Sequence, residues 1–332
     1  MTIEEDIHFS AIRDSILDGD LVPFLGAGVN LCGRPPNEPW KEGTYLPSGG
    51  ELAERLAADF SYKPEWGNPK DLLRVCQFIA TVRGTRPLFL DLHRCFNADY
   101  PFTPVHRFLA GLPGQLRSRG YPYRPMLIAT TNYDDVMERA FSEAGERYDV
   151  VTYICEGKLS GRFVHRRVDG QRVVIESPNE YDGGLFKQVP VIFKLHGTVE
   201  RRDPTVAATA QTRGDESFVI TEDHYIDYLA RASDAGLIPA EILGKLSISS
   251  ILFLGYSLGD WNLRILLQRI WLERELTANC WAVNAFADYL EQEIWKKRGV
   301  QILRLRLEHY FGQLTEMFED LPVAAEVPAA GS

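Results

Sequence analysis

Four short apolar runs in this sequence each end in glycine or polar residues, the types that bind ligands and transfer protons. The four motifs are Gly26-Ala27-Gly28, Thr131-Asn132-Tyr133-Asp134, Lys194-Leu195-His196-Gly197 and Gly255-Tyr256-Ser257. A continuous apolar run is typical of a parallel strand that is buried on both faces. Because the carboxyl ends of parallel strands meet at one edge of a sheet, where open α/β sheets bind ligands, we expect the four motifs to lie together.

The first motif follows the run Leu21–Leu25 and has the composition of a phosphate-binding loop. Gly26 and Gly28 allow a tight turn and a close approach of the backbone to a ligand. Backbone N–H groups at the start of the following helix then form an anion site that needs no basic side chain. A plain turn has the same composition, and the third glycine of the dinucleotide fingerprint is absent from its usual place. The motif therefore indicates a phosphate site only when it is taken together with the other three.

The elements that must position these motifs follow from the apolar spacing. Nearly a hundred residues separate the strand at 21–25 from the strand at 125–131, which is too long for a simple crossover, and their apolar positions recur at helical spacing. We therefore predict a Rossmann-like α/β fold, a doubly wound parallel sheet with a helical insertion. The sheet domain comprises residues 1–31 and 125–320, the insertion residues 32–124, and a disordered tail residues 321–332.

Local signals predict further features. Ser48 and Glu51 form a capping box that opens a helix to Phe60. Asp169-Gly170 predicts the turn of an exposed hairpin between the strands 162–168 and 172–176. The proline-rich segment Gly33–Pro39 is a candidate mobile loop over the ligand. Residues 200–215 are expected to form a surface loop, and residues 262–275 a helix.

Composition restricts the class of protein. A chain of 332 residues with a net charge of −10 disfavours an extended nucleic-acid surface, which needs clustered Lys and Arg. The five cysteines are scattered and contain no Cys-x-x-Cys pair, so we expect neither disulfides nor zinc. No apolar run approaches the ~20 residues of a membrane span, and the acidic start is unlike a signal peptide. These features predict a cytoplasmic protein without a metal site.

The four motifs, in this order, resemble those of the sirtuin family: a Gly-Ala-Gly loop, an Asn-x-Asp pair, a His-Gly and a later Gly-x-Ser. The resemblance spans residues 21–260 and implies a site for NAD. The cofactor-binding residues that it implies are Gly26, Ala27, Gly28, Asn30, Thr131, Gly255 and Ser257. The catalytic residues that it implies are Asn132, Asp134 and His196.

The resemblance also implies roles. Ala27 and Gly28 would face the pyrophosphate, Asn132 the nicotinamide-side ribose, and Gly255 with Ser257 the adenosine half. Asp134 would lie near the carboxamide, and His196 would act as the general base. These residue types suit the chemistry, because cleavage of the bond from ribose to nicotinamide passes through an oxocarbenium-like state that needs hydroxyl partners and a proton acceptor.

The sequence departs from the protein-deacylating sirtuins in one respect. No cysteine lies between His196 and Ser250, so the four-cysteine zinc module of those enzymes is missing. The remainder resembles the divergent sirtuin-like domains of bacterial antiviral systems. That resemblance implies an NAD glycohydrolase without zinc, which cleaves NAD to ADP-ribose and nicotinamide in antiphage defence, through abortive infection by NAD depletion.

Other interpretations stay open from the sequence. The chain is also compatible with an NAD or ADP-ribose sensor that never turns over, or with a deacylase of unusual substrate. Gly-Tyr-Ser-Leu-Gly around Ser257 is similar to an esterase nucleophile elbow, with Asp288 and His309 as the remaining candidates. Asn132 and Asp134 could be no more than a helix cap and a first-turn charge.

Control of the activity is a further expectation. A cytosolic NADase would poison its host, so we expect it to be restrained until a trigger arrives. Self-assembly into a homo-oligomer, or a separately encoded partner such as a DNA-translocating ATPase or an Argonaute-like protein, would supply that control. We expect no direct contact with nucleic acid and no membrane partner.

Overall fold

The computed structural model of the chain describes residues 3–35, 38–201, 215–232, 237–256 and 279–324. The α-helices in these ranges are Ile3–Leu17 (α1), Gly49–Asp59 (α2), Leu72–Arg83 (α3), Thr85–Phe96 (α4), Pro104–Ser118 (α5), Val136–Glu143 (α6), Glu222–Ala232 (α7), Ala240–Ile248 (α8), Tyr289–Lys296 (α9) and Leu307–Glu319 (α10). The strands are Leu21–Leu25 (β1), Leu127–Thr130 (β2), Asp149–Ile154 (β3), Arg162–Arg166 (β4), Arg172–Ile175 (β5), Val191–Lys194 (β6), Gly197–Thr198 (β7), Ser217–Phe218 (β8), Ser250–Leu254 (β9), Cys280–Val283 (β10) and Val300–Leu303 (β11).

Nine of these strands form one sheet in the order β11-β10-β9-β1-β2-β6-β3-β4-β5. All pairs from β11 to β3 are parallel, while β3–β4 and β4–β5 are antiparallel. The chain moves from β1 to β2 on one side and later returns to β9 on the other side of β1. The predicted Rossmann-like α/β fold is confirmed, and the strand order reverses at β1, where such sheets bind ligands.

The two faces of the sheet carry different layers, as the alternation of side chains along each strand requires. Leu21 and Leu25 of β1 pack with α1, α5, α6 and α10 on one face. Val22 and Phe24 of the same strand pack with residues of α7, α8 and α9 on the other. Every residue of β1 is buried because it is covered from both sides.

The helices between β1 and β2 fall into two groups. Helices α2, α3 and α4 form a separate core around Leu56, Ile79 and Leu92, which also contacts Phe218 of β8. Helix α5 instead packs on the sheet through Phe108 and Leu112. The division of the chain into a sheet domain and an insertion at 32–124 stays a prediction.

The hairpin differs from the expectation. Strands β4 and β5 do form an antiparallel pair, and Gly170 takes the left-handed conformation in the turn. The hairpin is not wholly exposed, however, because Phe163 and Val164 of β4 are buried in the core of the sheet. Strand β4 extends the central sheet beyond β3, so one face of β4 is covered by the core.

Some predicted features fall on residues outside the described parts of the chain. The helix expected at 262–275, most of the loop at 200–215 and residues 325–332 of the tail are among them. Residues 321–324 are described, and there Leu321 is buried while the Ala324 N–H donates to the Arg119 carbonyl at 2.8 Å. None of the helices in the described ranges has the length and apolar character needed to cross a bilayer.

Candidate active site

A cleft of about 800 Å³ lies along the carboxyl edge of the sheet. Residues that follow β1, β2, β6, β9, β10 and β11 line it, so six adjacent strands contribute to one cavity. The start of α2, at Ser48 and Gly49, lies along the same cleft. The volume is within the range of small-molecule and cofactor sites. Described residues from each of the four motifs therefore line one cleft, with Gly255 and Tyr256 representing the fourth.

The glycines of the first and last motifs allow two loops to touch. The Gly28 N–H donates to the Gly255 carbonyl at 2.8 Å, and the Gly26 N–H donates to Leu254 at 2.9 Å. A Cβ atom on Gly28 would lie 2.7 Å from the Gly255 oxygen, which no side chain tolerates. Gly255 also has a φ of +63°, the left-handed region that favours glycine. These glycines are thus required by the contact between the β1 and β9 loops.

That contact changes how the first motif can bind an anion. The N–H groups of Gly26 and Gly28 are both occupied by carbonyl groups of the β9 side. Ala27 is exposed at the start of the short 3₁₀ helix Ala27–Leu31, and no acceptor among the described residues pairs with its N–H. Within this loop, the Ala27 N–H is therefore the donor that remains for a ligand.

Thr131 and Asn132 follow β2 and lie beside the loop after β1. The Asn132 Nδ2 donates to the Gly26 carbonyl at 3.2 Å, and its backbone N–H donates to Thr130 Oγ1 at 3.0 Å. No donor among the described residues binds Asn132 Oδ1, so this oxygen can accept a ligand hydroxyl. Thr131 Oγ1 lies 3.1 Å from the hydroxyl of Tyr256 and links the β2 loop to the β9 loop.

Asp134 is buried, with 5% of its surface exposed. Its Oδ1 accepts the Val136 N–H at 3.1 Å, and Asp134 directly precedes Asp135, the N-cap residue of α6. Its Oδ2 accepts Nδ2 of Asn30 at 2.9 Å. Asp134 therefore binds the first N–H group of α6 without being its N-cap, and it also fixes Asn30 in the cleft wall.

His196 lies between β6 and the short strand β7, with 7% of its surface exposed. Its Nδ1 is 3.3 Å from the hydroxyl of Tyr225 in α7, and its ring packs edge to face against Tyr225 at 5.2 Å. Burial lowers the pKa of His196 from 6.5 to about 4, because desolvation disfavours the charged ring. The imidazole is therefore neutral at physiological pH and able to accept a proton.

A buried ion pair that the sequence analysis did not anticipate supports this edge of the site. Lys194 is 1% exposed, and its Nζ donates to Glu138 Oε1 at 2.7 Å and to the carbonyl of Asp134. Burial raises the pKa of Glu138, an effect that the nearby Lys194 charge opposes. The pair connects β6 to α6 and holds the backbone of the Asp134 turn in place.

The expected loop at Gly33–Pro39 is anchored where it is described. The Arg34 guanidinium binds both oxygens of Glu51, at 2.7 and 3.0 Å, and also the carbonyl of Glu38. Glu51 closes the predicted capping box with Ser48, which is confirmed. Pro36 and Asn37 lie outside the described residues.

The opposite end of the cleft contains residues that the sequence analysis missed. They follow β10 and β11: Asn284, Phe286, Arg306 and Glu308. Phe286 is 82% exposed, and the Arg306 guanidinium lies 5.9 Å from its ring. Glu308 accepts the Gly33 N–H at 2.8 Å and so joins α10 to the loop after β1. The only available signal was that these residues also follow apolar strands.

The cleft is lined by nine of the ten residues that the resemblance implies. They are Gly26, Ala27, Gly28, Asn30, Thr131, Asn132, Asp134, His196 and Gly255. Ser257 lies outside the described residues, as does Asp260. Of the other esterase candidates, Asp288 caps α9 by accepting the Glu291 N–H at 2.7 Å, and His309 is exposed. Within the described ranges, no three His, Cys, Asp or Glu side chains are placed to hold a metal ion.

Comparison with known proteins identifies the family of the chain. The model of the SIR2-like domain family matches residues 126–303, more than half of the chain. Defense-associated sirtuin 2 of Bacillus subtilis is 23% identical over 258 residues, 77% of this chain and 20% of the relative. NAD(+) hydrolase ThsA of Cytobacillus dafuensis is 22% identical over 270 residues, 81% of this chain and 42% of the relative. The chain therefore spans less than half the length of either relative. It belongs to the SIR2-like domain family, among the divergent members similar to bacterial defence sirtuins.

Proposed function

We propose that this chain is an NAD glycohydrolase that releases nicotinamide and ADP-ribose. The observation that carries the proposal is the position of Asn132 and His196 at one end of a single cleft that continues across the glycine loops of β1 and β9. Similarity to a protein named NAD(+) hydrolase supports the same activity.

The length of the cleft suits a dinucleotide. The cleft runs from the end of β6 to the end of β11, which are separated by five strand spacings. At about 4.8 Å for each spacing, this distance is about 24 Å, comparable to an extended dinucleotide. His196 at the β6 end would place the nicotinamide half there, and the adenosine half would then lie near Asn284 and Phe286.

The polar groups at the β6 end suit cleavage of an N-glycosidic bond. Departure of nicotinamide leaves positive charge on the ribose, and hydroxyl groups hydrogen-bonded to acceptors stabilise that charge. Asn132 Oδ1 is such an acceptor. The neutral ring of His196 would take a proton from a ribose hydroxyl or from the attacking water. A weak base with the lowered pKa of His196 suffices for this step, because an oxocarbenium-like carbon is highly electrophilic.

We propose water, rather than an acylated lysine, as the acceptor, and antiphage defence as the setting. The missing cysteines between His196 and Ser250 support the first part. Similarity to a defence-associated sirtuin supports the second part. We expect the isolated chain to be slow toward NAD until self-assembly or a partner protein activates it. Size-exclusion chromatography with light scattering, run beside the NAD assay, tests that expectation; a fully active monomer that no partner changes would contradict it.

The test of the activity follows NAD, nicotinamide and ADP-ribose over time with purified protein, alone, self-assembled and with candidate partners, each with and without an acetylated lysine peptide. Hydrolysis predicts equal amounts of nicotinamide and ADP-ribose, unaffected by the peptide. A sensor predicts binding of NAD without release of nicotinamide, and a deacylase predicts an acyl-ADP-ribose product only with the peptide. Either of these results would refute the proposed function.

A further inference from the structure

Tyr225 of α7 is the side-chain hydrogen-bond partner of His196 among the described residues. Its hydroxyl oxygen lies 3.3 Å from His196 Nδ1, and the two rings pack edge to face with their centroids 5.2 Å apart. Both residues line the cleft. Because Nδ1 is directed at Tyr225, Nε2 on the other side of the ring is the nitrogen that remains for a substrate.

The local sequence fixes Tyr225 in this position. The hydroxyl of Thr221 accepts the His224 N–H at 3.2 Å, so the first turn of α7 is held before Tyr225. Tyr228 lies three residues later, on the same side of the helix, and is 2% exposed in the core against the sheet. Its ring also packs edge to face against His196, at 6.1 Å. Burial of Tyr228 therefore anchors the helix that presents the hydroxyl of Tyr225 to His196.

The two nitrogens of a neutral imidazole have different roles. One carries a hydrogen and donates it, and the other accepts. If Nε2 is to take a proton from a substrate, Nδ1 must carry the ring hydrogen and needs an acceptor of its own. The hydroxyl oxygen of Tyr225 can be that acceptor. If Tyr225 donated to Nδ1 instead, Nε2 would carry the hydrogen and could not act as a base.

We infer that Tyr225 is a positioning residue, which accepts the Nδ1–H of His196 and thereby keeps Nε2 as the basic nitrogen. The use of Nε2 as a base rests on the proposed function, whereas the position of the hydrogen is a property of the protein without substrate. During the reaction, Nε2 would gain the proton from a ribose hydroxyl or from water, and Nδ1 would keep its hydrogen bond to Tyr225. No proton passes to Tyr225, which orients the ring as a neutral partner.

The first test locates the hydrogen on His196. Solid-state NMR of the full chain with ¹⁵N-labelled histidine, at neutral pH and without NAD, distinguishes protonated from unprotonated ring nitrogens. The signals of His196 are those that are lost in the His196→Ala variant. We expect hydrogen on Nδ1 in the unmodified protein, and a shift toward the other tautomer in Tyr225→Phe, which keeps the ring but lacks the oxygen. Hydrogen on Nε2 in the unmodified protein, or an unchanged tautomer in Tyr225→Phe, would overturn the inference.

The second test uses the kinetics of nicotinamide release under the conditions in which the unmodified protein is most active. Tyr225→Phe should lower kcat at least tenfold and leave KM within about twofold, because it disturbs proton transfer and not the binding of NAD. Tyr228→Phe is the matched control, since it removes a hydroxyl from the same helix that His196 does not bind. An equal loss of kcat in Tyr228→Phe, or a raised KM with unchanged kcat in Tyr225→Phe, would overturn the inference. Absence of nicotinamide release from the unmodified protein would refute the proposed function, and the NMR measurement would still decide the role of Tyr225.

Discussion

Replacement of Gly255 by alanine should disrupt the contact between the β1 and β9 loops. A Cβ atom at this position would lie 2.5 Å from the carbonyl carbon of Gly28 and against the backbone nitrogen of Val29. Both neighbours are backbone atoms, so no side-chain rotation relieves the overlap. The φ of +63° adds strain of its own, because an alanine disfavours the left-handed region.

The size of the effect follows from these two causes. Left-handed strain alone costs about 1 kcal/mol for alanine. Displacement of the β1 loop to relieve overpacking costs about 1 to 3 kcal/mol. Loss of the hydrogen bond from the Gly28 N–H to the Gly255 carbonyl costs about 1 kcal/mol. We expect Gly255→Ala to lower the free energy of unfolding by about 3 to 5 kcal/mol.

Gly299 provides a matched control. Its φ is +76°, similar to that of Gly255, but a Cβ atom there would meet nothing within 4 Å. Gly299→Ala should therefore lower the free energy of unfolding by only about 1 kcal/mol. Urea unfolding followed by circular dichroism measures both variants. Equal destabilisation of the two would refute the contact between the glycine loops as the reason for glycine at position 255.

Lys194→Met should destabilise the protein by about 3 kcal/mol, since it leaves Glu138 buried without its ion-pair partner. Adding Glu138→Leu should restore most of that loss. Equal stability of the single and the double variant in urea unfolding would contradict a stabilising ion pair between Lys194 and Glu138. The free energy of unfolding should fall as pH decreases from 6.5 to 4, because His8, His106 and His196 have a pKa of about 4 when folded and bind protons on unfolding. The loss should be about 2 kcal/mol per histidine at pH 5, and equal stability at pH 7 and pH 5 would count against the burial of these rings. Chelators should leave folding and NAD turnover unchanged, whereas stoichiometric zinc in the purified protein would show that a metal site had been missed.

The parts of the fold that the sequence predicts are those set by local patterns. The run Ser250–Leu254 forms a strand with the predicted bounds because continuous apolar residues need cover on both faces. Ser48 and Glu51 form the capping box because both partners lie within one turn of the helix. The hairpin turn at Gly170 was predicted for the same reason, whereas the burial of Phe163 depends on distant residues and was not.

The candidate site also has parts that the sequence predicts and parts that it does not. Its polar motifs follow strands whose order in the sheet makes them neighbours, so convergence on one edge was predictable. The contact of His196 with Tyr225 was not predictable, because Tyr225 lies 29 residues later on a helix whose packing the sequence does not reveal. The reason for glycine at positions 28 and 255 also differs from the expectation, which was a close approach of the backbone to a ligand. Each glycine permits the approach of the other loop, and this relation appears only when β1 and β9 are adjacent.

Release of nicotinamide from NAD, measured under the conditions in which the unmodified protein is most active and compared with two histidine variants, is the decisive measurement for the cleft. His196→Ala removes the buried ring from the cleft, while His309→Ala changes an exposed histidine outside it. We predict that the His309→Ala variant matches the unmodified protein and that the folded His196→Ala variant loses nicotinamide release at least a hundredfold, about the effect of removing a general base. Unchanged nicotinamide release by a folded His196→Ala variant would contradict the assignment of this cleft as the site of NAD hydrolysis.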